Sequence, residues 1–290
     1  MPKPPRLNLR DATYHVMARG NRQQTIFEAN RDRARFLAIL RDAVEKYAVL
    51  LLGYVLMGNH FHLVVTTPRG NISAFMRQVD GTFTQYSNWR HQRVGHLLQG
   101  PFKAVIVEDD IHLLKTLTYV VMNPVAAGYV NLPGDWSWSS YRATVGVAPV
   151  PPMLSIEWLD RLFPSELRED SQRRFAEFII GARNYQSFLR LSTPAVGSES
   201  FRADIRSYIG DKLFGAHVPR SYKALFQPTL EELFREVGNK TERQRVIERA
   251  HVVHGYRLSE IARSLGMHPA SVSRILCALR RTDRTRVDGC

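Results

Sequence analysis

A chain of 290 residues exceeds the usual size of one domain, so two folded units are expected. Its 40 Lys and Arg against 27 Asp and Glu leave a formal charge of +13, which favours nucleic acid as a partner first and an anionic membrane surface second. Two cysteines, Cys277 and Cys290, exclude a disulfide framework or a cysteine-rich zinc site, and no run of about 18 apolar residues is present to span a membrane.

Met1 to Arg10 is basic and Pro-rich without the apolar stretch of an export signal, so a soluble, cytoplasmic protein is expected. Tyr14 to Arg19 reads as a strand, and Arg31 to Tyr47 spaces Phe36, Leu37, Leu40, Val44 and Tyr47 as one helix face. Val49 to Met57 and His60 to Thr67 are two β-rich runs separated by Gly58-Asn59, a pair that tolerates the positive φ of a hairpin turn. Asn71 to Trp89 is helical, Phe102 to Val107 is a strand, and Ile111 to Met122 is a helix expected to stop at Asn123-Pro124, since proline cannot donate the helical hydrogen bond. The order β-α-β-β-α-β-α predicts an α+β fold, a ferredoxin-like antiparallel sheet with helices on one face.

The prolines at 149, 151 and 152 mark the expected domain boundary. Residues 1–148 then form the first domain, 149–239 a helical connector with turns at Thr193 to Gly197 and Gly210 to Pro219, and 240–290 a C-terminal module. Charge follows the same division. Residues 1–150 carry 17 basic and 10 acidic side chains, 151–239 carry 12 of each, and 240–290 carry 11 and 5, so two basic ends flank a neutral middle.

Two histidines at i and i+2 of a strand point the same way, so His60 and His62 offer two imidazoles on one face while Phe61 enters the opposite layer. Such a pair can bind a divalent metal, or it can be a polar strand face. Tyr119 and Asn123, at i and i+4, share one helix face and would aim a phenol and an amide at one point; a core tyrosine and a turn asparagine is the plainer alternative.

Gly58-Asn59-His60-Phe61-His62-Leu63-Val64-Val65, then Tyr119-Val120-Val121-Met122-Asn123-Pro124 and Trp138-Ser139-Ser140-Tyr141, resemble the HUH-type single-tyrosine transposases, REP-associated branch. The likeness spans residues 8–145. It implies that His60 and His62 are metal ligands with Asn123 as the third, that the metal is Mg2+ or Mn2+, and that Tyr119 is the nucleophile. The implied reaction cuts and rejoins single-stranded or hairpin DNA through a 5′-phosphotyrosine. A DNA-binding regulator that recognises hairpin or repeat DNA without cutting, and a hydrolytic metallonuclease, remain the competing readings. Relatives occur as monomers and as dimers, so the oligomeric state stays open.

Arg19 and Arg22 after the first strand, and Arg77, Arg90 and Arg93 with Tyr86 and Trp89, combine charge with flat rings suited to phosphates and unpaired bases. Leu258 to Leu276 fits a helix-turn-helix for duplex DNA, with Ala262 at the helix contact, Gly266 at the turn, Pro269 opening the second helix, and Val272 and Ile275 facing the core. Ala270, Ser271, Ser273 and Arg274 would then face the groove.

Overall fold

The computed structural model describes residues 7–182, 195–212, 230–235, 237–252 and 256–277. The first six residues, Cys290 and positions 213–219 of the expected turn lie outside these. The chain divides into two compact units, Met1–Tyr222 and Lys223–Cys290.

In the first unit β1 (Ala12–Arg19), α1 (Asn30–Tyr47), β2 (Leu50–Leu56), β3 (His60–Thr67), α2 (Ile72–Arg90), β4 (Lys103–Val107) and α3 (Asp110–Ala126) follow in the expected order. The strands align as β2-β3-β1-β4, each pair antiparallel, with β1 between β3 and β4 as in a ferredoxin-like sheet. The sheet is nevertheless mixed. Beyond α4 (Tyr141–Thr144), α5 (Trp158–Leu162) and α6 (Arg168–Gly181), the expected turn at Thr193 to Gly197 contains a short strand, β5 (Ala195–Val196). This strand pairs parallel to Ile106 and Val107 and precedes α7 (Glu199–Lys212).

Nor do the helices gather on one face. α1 and α2 cover the Phe61 side, where Phe36 lies 4.6 Å from Phe61 and 5.1 Å from Phe83 between ring centroids. α3 covers the other side. It comes so close to β2 that a Cβ on Gly53 would stand 2.7 Å from Leu117 Cδ2, and a bulge between Leu51 and Gly53 accompanies the approach. Each sheet face thus needed an apolar cover, which a one-sided sandwich would not have supplied.

α3 also runs past Pro124 to Ala126. A proline in the last turn removes only one donor, and the carbonyls of Asn123 and Pro124 are taken by the N–H groups of Ala127 and Tyr129, both at 2.9 Å. The β2–β3 turn closes with Met57 N–H donating to the His60 carbonyl at 2.9 Å, without positive φ at Gly58 or Asn59.

The boundary expected at Pro149–Pro152 is instead a crossing within the first unit. Leu56 N–H donates to the Trp138 carbonyl and Ser155 N–H to the Leu51 carbonyl, each at 2.8 Å, so the chain lines the outer edge of β2 before and after the prolines. An edge strand left bare would present unpaired donors and acceptors, and these segments satisfy them.

The second unit contains α8 (Leu230–Phe234), α9 (Lys240–Val252), α10 (Leu258–Ser264) and a helix α11 over 269–277. Leu230 and Leu233 pack with Ile247, Ala250, Ile261, Ala262, Val272 and Leu276, so this core draws on residues before position 240. Gly266 at φ +64° makes the turn between α10 and α11. Val272 is fully buried and Ile275, partly buried, packs against the same core, as expected, while Leu276 at i+4 from Val272 is buried as well.

Candidate active site on the histidine face

Antiparallel register decides which side chains surround the histidine pair. Arg19 of β1 lies opposite His60, Met17 opposite His62 and His15 opposite Val64, so His15, Met17 and Arg19 share the face of His60 and His62. The two histidine rings of β3 stand 5.1 Å apart at 88°. From above, α3 lowers Tyr119 until its ring is 5.4 Å from His62 and 5.5 Å from His15. One turn further, Asn123 donates from Nδ2 to the Tyr119 carbonyl at 3.0 Å, and its side chain lies near enough to His60 to influence that ring. Because the helix continues through Pro124, Tyr119 and Asn123 keep the shared face that their spacing predicts.

Both histidines have one ring nitrogen already engaged. Asn59 Nδ2 donates to the Gln23 carbonyl at 3.1 Å, which turns its Oδ1 toward His60 Nδ1 at 2.7 Å. An amide oxygen only accepts, so the His60 proton sits on Nδ1 and the lone pair on Nε2. His62 Nδ1 lies 2.8 Å from Nε2 of His15, a residue wholly buried in the sheet. With Nδ1 of His62 as the donor, its Nε2 also carries a free lone pair. The His15 proton then falls on Nδ1, a buried atom without a partner.

Burial keeps these rings neutral. It lowers His15 to about 3, and it pushes His62 well below the ordinary histidine value, helped by the charges of His15, His60 and Arg19. Burial and then the Arg19 charge lower His60, against the opposing influence of the Asn123 side chain. Neutral imidazole is the form that ligates metals. Two imidazole nitrogens and an amide oxygen form a donor set that fits a divalent ion such as Mn2+ or Mg2+.

The basic residues expected to meet DNA are dispersed. Arg19 is exposed at the rim of the histidine face, and Arg22 is exposed in the following turn, at φ +50°. That turn requires Gly20, since a Cβ there would collide with the Gln24 carbonyl. Arg77 is exposed on α2, which covers the opposite sheet face. Arg90 is committed elsewhere, with Nε 3.1 Å from Asp32, a carboxylate buried at 1% exposure. Although burial opposes it, the Ala29 N–H, His91 and Arg90 hold Asp32 below the usual carboxylate range. This contact joins the start of α1 to the end of α2. In the second unit Arg274 is exposed, Ser271 and Ser273 are half-buried, and Arg274 Nη2 lies 3.4 Å from Ser271 Oγ.

Sequence reasoning passed over His15 and Asn59. The signal for His15 was its parity with Arg19 on β1, which only the register with β3 converts into contact with His62. A further group, Glu108, Asp109 and His112, brings potential ligand atoms within 4.8 Å of one another at the far end of α3. Asp109 there accepts from His112 N–H as the helix cap, and Glu108 accepts from Ser198 Oγ at 2.6 Å. Among the described residues, no helix is long and apolar enough to cross a membrane.

Residues 8–123 match the family described as "Transposase IS200 like". A curated Haemophilus influenzae protein named as a REP-associated tyrosine transposase is 26% identical over 121 residues, covering 38% of this chain and 69% of that protein. Among solved structures, a REP-associated tyrosine transposase bound to a REP hairpin is similar over 54% of this chain and 93% of that one, at 17% identity and a TM-score of 0.45. A Deinococcus radiodurans protein described as a transposase is similar over 39% of this chain and 91% of that one, at 19% identity and a TM-score of 0.29. The matched residues 8–123, which contain His15, His60, His62, Tyr119 and Asn123, are the part of the chain that is similar to the IS200-like transposases.

Proposed function

We propose that the first unit cuts and rejoins single-stranded DNA, at hairpin or repeat elements, with Tyr119 as nucleophile and His60, His62 and Asn123 as ligands of a divalent metal. The observation that carries this reading is the convergence of Tyr119 and Asn123 over two histidines whose Nδ1 atoms are both engaged. A divalent ion such as Mg2+ or Mn2+, held by His60, His62 and Asn123, would supply polarisation of a non-bridging phosphate oxygen. The Tyr119 oxygen loses its proton and bonds to phosphorus, the bond from phosphorus to O3′ breaks, and O3′ takes up a proton. The product is a 5′-phosphotyrosine with a free 3′-OH. Its phosphoester is still activated for rejoining, so no nucleotide cofactor is required.

The second unit supports a duplex-binding role. α10 and α11 meet at Ala262 and Val272 across a turn at Gly266, which leaves Ser271, Ser273 and Arg274 available to the groove of a helix-turn-helix site.

The test is incubation of the full chain with labelled single-stranded hairpin DNA and Mn2+ or Mg2+. A covalent protein–DNA adduct is expected with Tyr119 and none with Tyr119→Phe. Absence of an adduct across a broad substrate set rejects cutting and leaves a binding protein, whereas full cleavage by Tyr119→Phe identifies a hydrolytic nuclease. Deleting residues 223–290 should weaken duplex binding and its salt dependence while the adduct persists.

A further inference from the structure

Directly beyond α3 the chain builds an aromatic and cationic cluster that the chemistry above does not use. Tyr129 is 54% exposed, and its ring lies 5.5 Å from that of Trp136 at 32°. Both rings are held from behind. Tyr129 N–H donates to the Pro124 carbonyl at 2.9 Å, and Trp136 Nε1 donates to the Leu56 carbonyl at 3.1 Å. Arg33 lies within electrostatic reach of Tyr129, its guanidinium 5.7 Å from the Trp138 ring, two residues on from Trp136, and 5.7 Å from Phe27. Arg33 Nε is buried without a hydrogen-bond partner, and among the described residues no carboxylate forms a salt bridge with it. Burial lowers the Arg33 pKa, while the Asp32 and Tyr129 charges favour its cation.

The cluster adjoins the histidine site. The position a Cβ would take on Gly58 is 4.0 Å from the Tyr129 hydroxyl, and Gly58 stands two residues before His60. The Gly58 carbonyl accepts from Ile26 and Phe27 N–H at 3.0 and 3.2 Å, which fixes this turn against the segment leading into α1. A flat ring presented to solvent beside an unpaired cation, in a basic region, matches a nucleotide better than an apolar protein surface. The face of a base is free for such a ring only when the base is not stacked within a duplex.

We infer that Tyr129, backed by Trp136, is the seat of an unpaired base next to the scissile phosphate, with Arg33 supplying positive charge to that nucleotide's backbone. This rests on the proposed DNA-cutting role for its placement, but its binding test does not require cutting. Stacking of this kind is sequence-tolerant, because every base has a π face. The seat therefore holds the strand in line, leaving sequence choice to other contacts.

The experiment uses the full-length Tyr119→Phe protein, which cannot form the adduct, and a fluorescein-labelled single-stranded oligonucleotide of mixed sequence. Adding Tyr129→Ala should weaken single-strand affinity by about 5- to 150-fold, the range for one stacked base. Tyr129→Phe should restore it, and 2-aminopurine in the oligonucleotide should be quenched by the Phe variant and not by the Ala variant. Arg33→Met, which keeps an apolar stem against Trp138, should weaken binding and reduce its salt dependence. Equal affinity of Tyr129→Ala and its parent, or an equal loss in Tyr129→Phe and Tyr129→Ala, overturns the inference. An adduct in the wild type with no effect of the ring retains cutting and rejects the seat; ring-dependent binding with no adduct does the reverse.

Discussion

On one side of β3, Phe61, Leu63 and Val65 are fully buried against α1 and α2; on the other, His62 is nearly as buried beneath α3, and its neighbours are His15, His60 and Tyr119. Burial costs the two sides differently. The apolar side chains gain by leaving water, whereas each imidazole loses hydration that only a hydrogen bond can replace. Accordingly the aromatic side is held by ring packing, with Phe27, Phe36, Phe61 and Phe83 linked through centroid distances of 4.6 to 5.3 Å. The histidine side is held by short polar contacts from His15 to His62 and from His60 to Asn59. Stability is concentrated on the first side and directed chemistry on the second, although successive residues of one strand supply both.

Phe61→Ala tests the stability half of that contrast and should have the largest effect on folding. Removing a fully buried ring from this cluster should lower unfolding free energy by about 3–5 kcal/mol, measured by urea denaturation. The folded fraction should still bind Mn2+ if His60, His62 and Asn123 hold it as proposed, since Phe61 points to the opposite face. A loss below about 1 kcal/mol would mean that the cluster collapses around the cavity and does not anchor the sheet.

The alternation His60-Phe61-His62 made this two-sidedness legible from sequence, because a strand sends neighbours to opposite faces. The i, i+4 spacing of Tyr119 and Asn123 likewise anticipated their meeting. Long-range pairings were not legible in the same way. A lone histidine in the apolar run Tyr14 to Ala18 reads as a core residue, and its contact with His62 appears only once β1 and β3 are in register. Arg90 read as a DNA contact because nothing local shows that a buried Asp32 from another helix will claim it. The prolines at 149–152 signalled a break in regular structure, but not that the chain on both sides of them would hydrogen-bond to the β2 edge. At Pro124 the local rule overstated the penalty, since a proline in the last turn of the helix removes a single donor.

His15→Leu tests the other half, through a residue that contacts the proposed ligand His62 from behind. It removes the hydrogen-bond partner of His62 Nδ1 and with it the contact that orients that ring. Mn2+ affinity, followed by calorimetry, should fall about 10- to 100-fold, as for other supports of metal-bound histidine. His15→Gln, which can return an oxygen acceptor, should recover part of it. The same variant has a pH signature. His15 takes a proton near 6.5 when unfolded but only near 3 when folded, so its neutral burial is fully compatible with folding above pH 6.5. As pH falls from 6.5 toward 3, the unfolded chain binds the proton first and stability declines. One such proton contributes a slope of about 1.4 kcal/mol per pH unit, which His15→Leu should remove from the acid limb of the denaturation profile. Per pH unit the slope is a smaller effect than the loss of the aromatic core, but more diagnostic. Parallel acid limbs in the two proteins, with unchanged Mn2+ affinity, would show that His15 merely fills space beneath the site and that the histidine side differs from the aromatic side in composition alone.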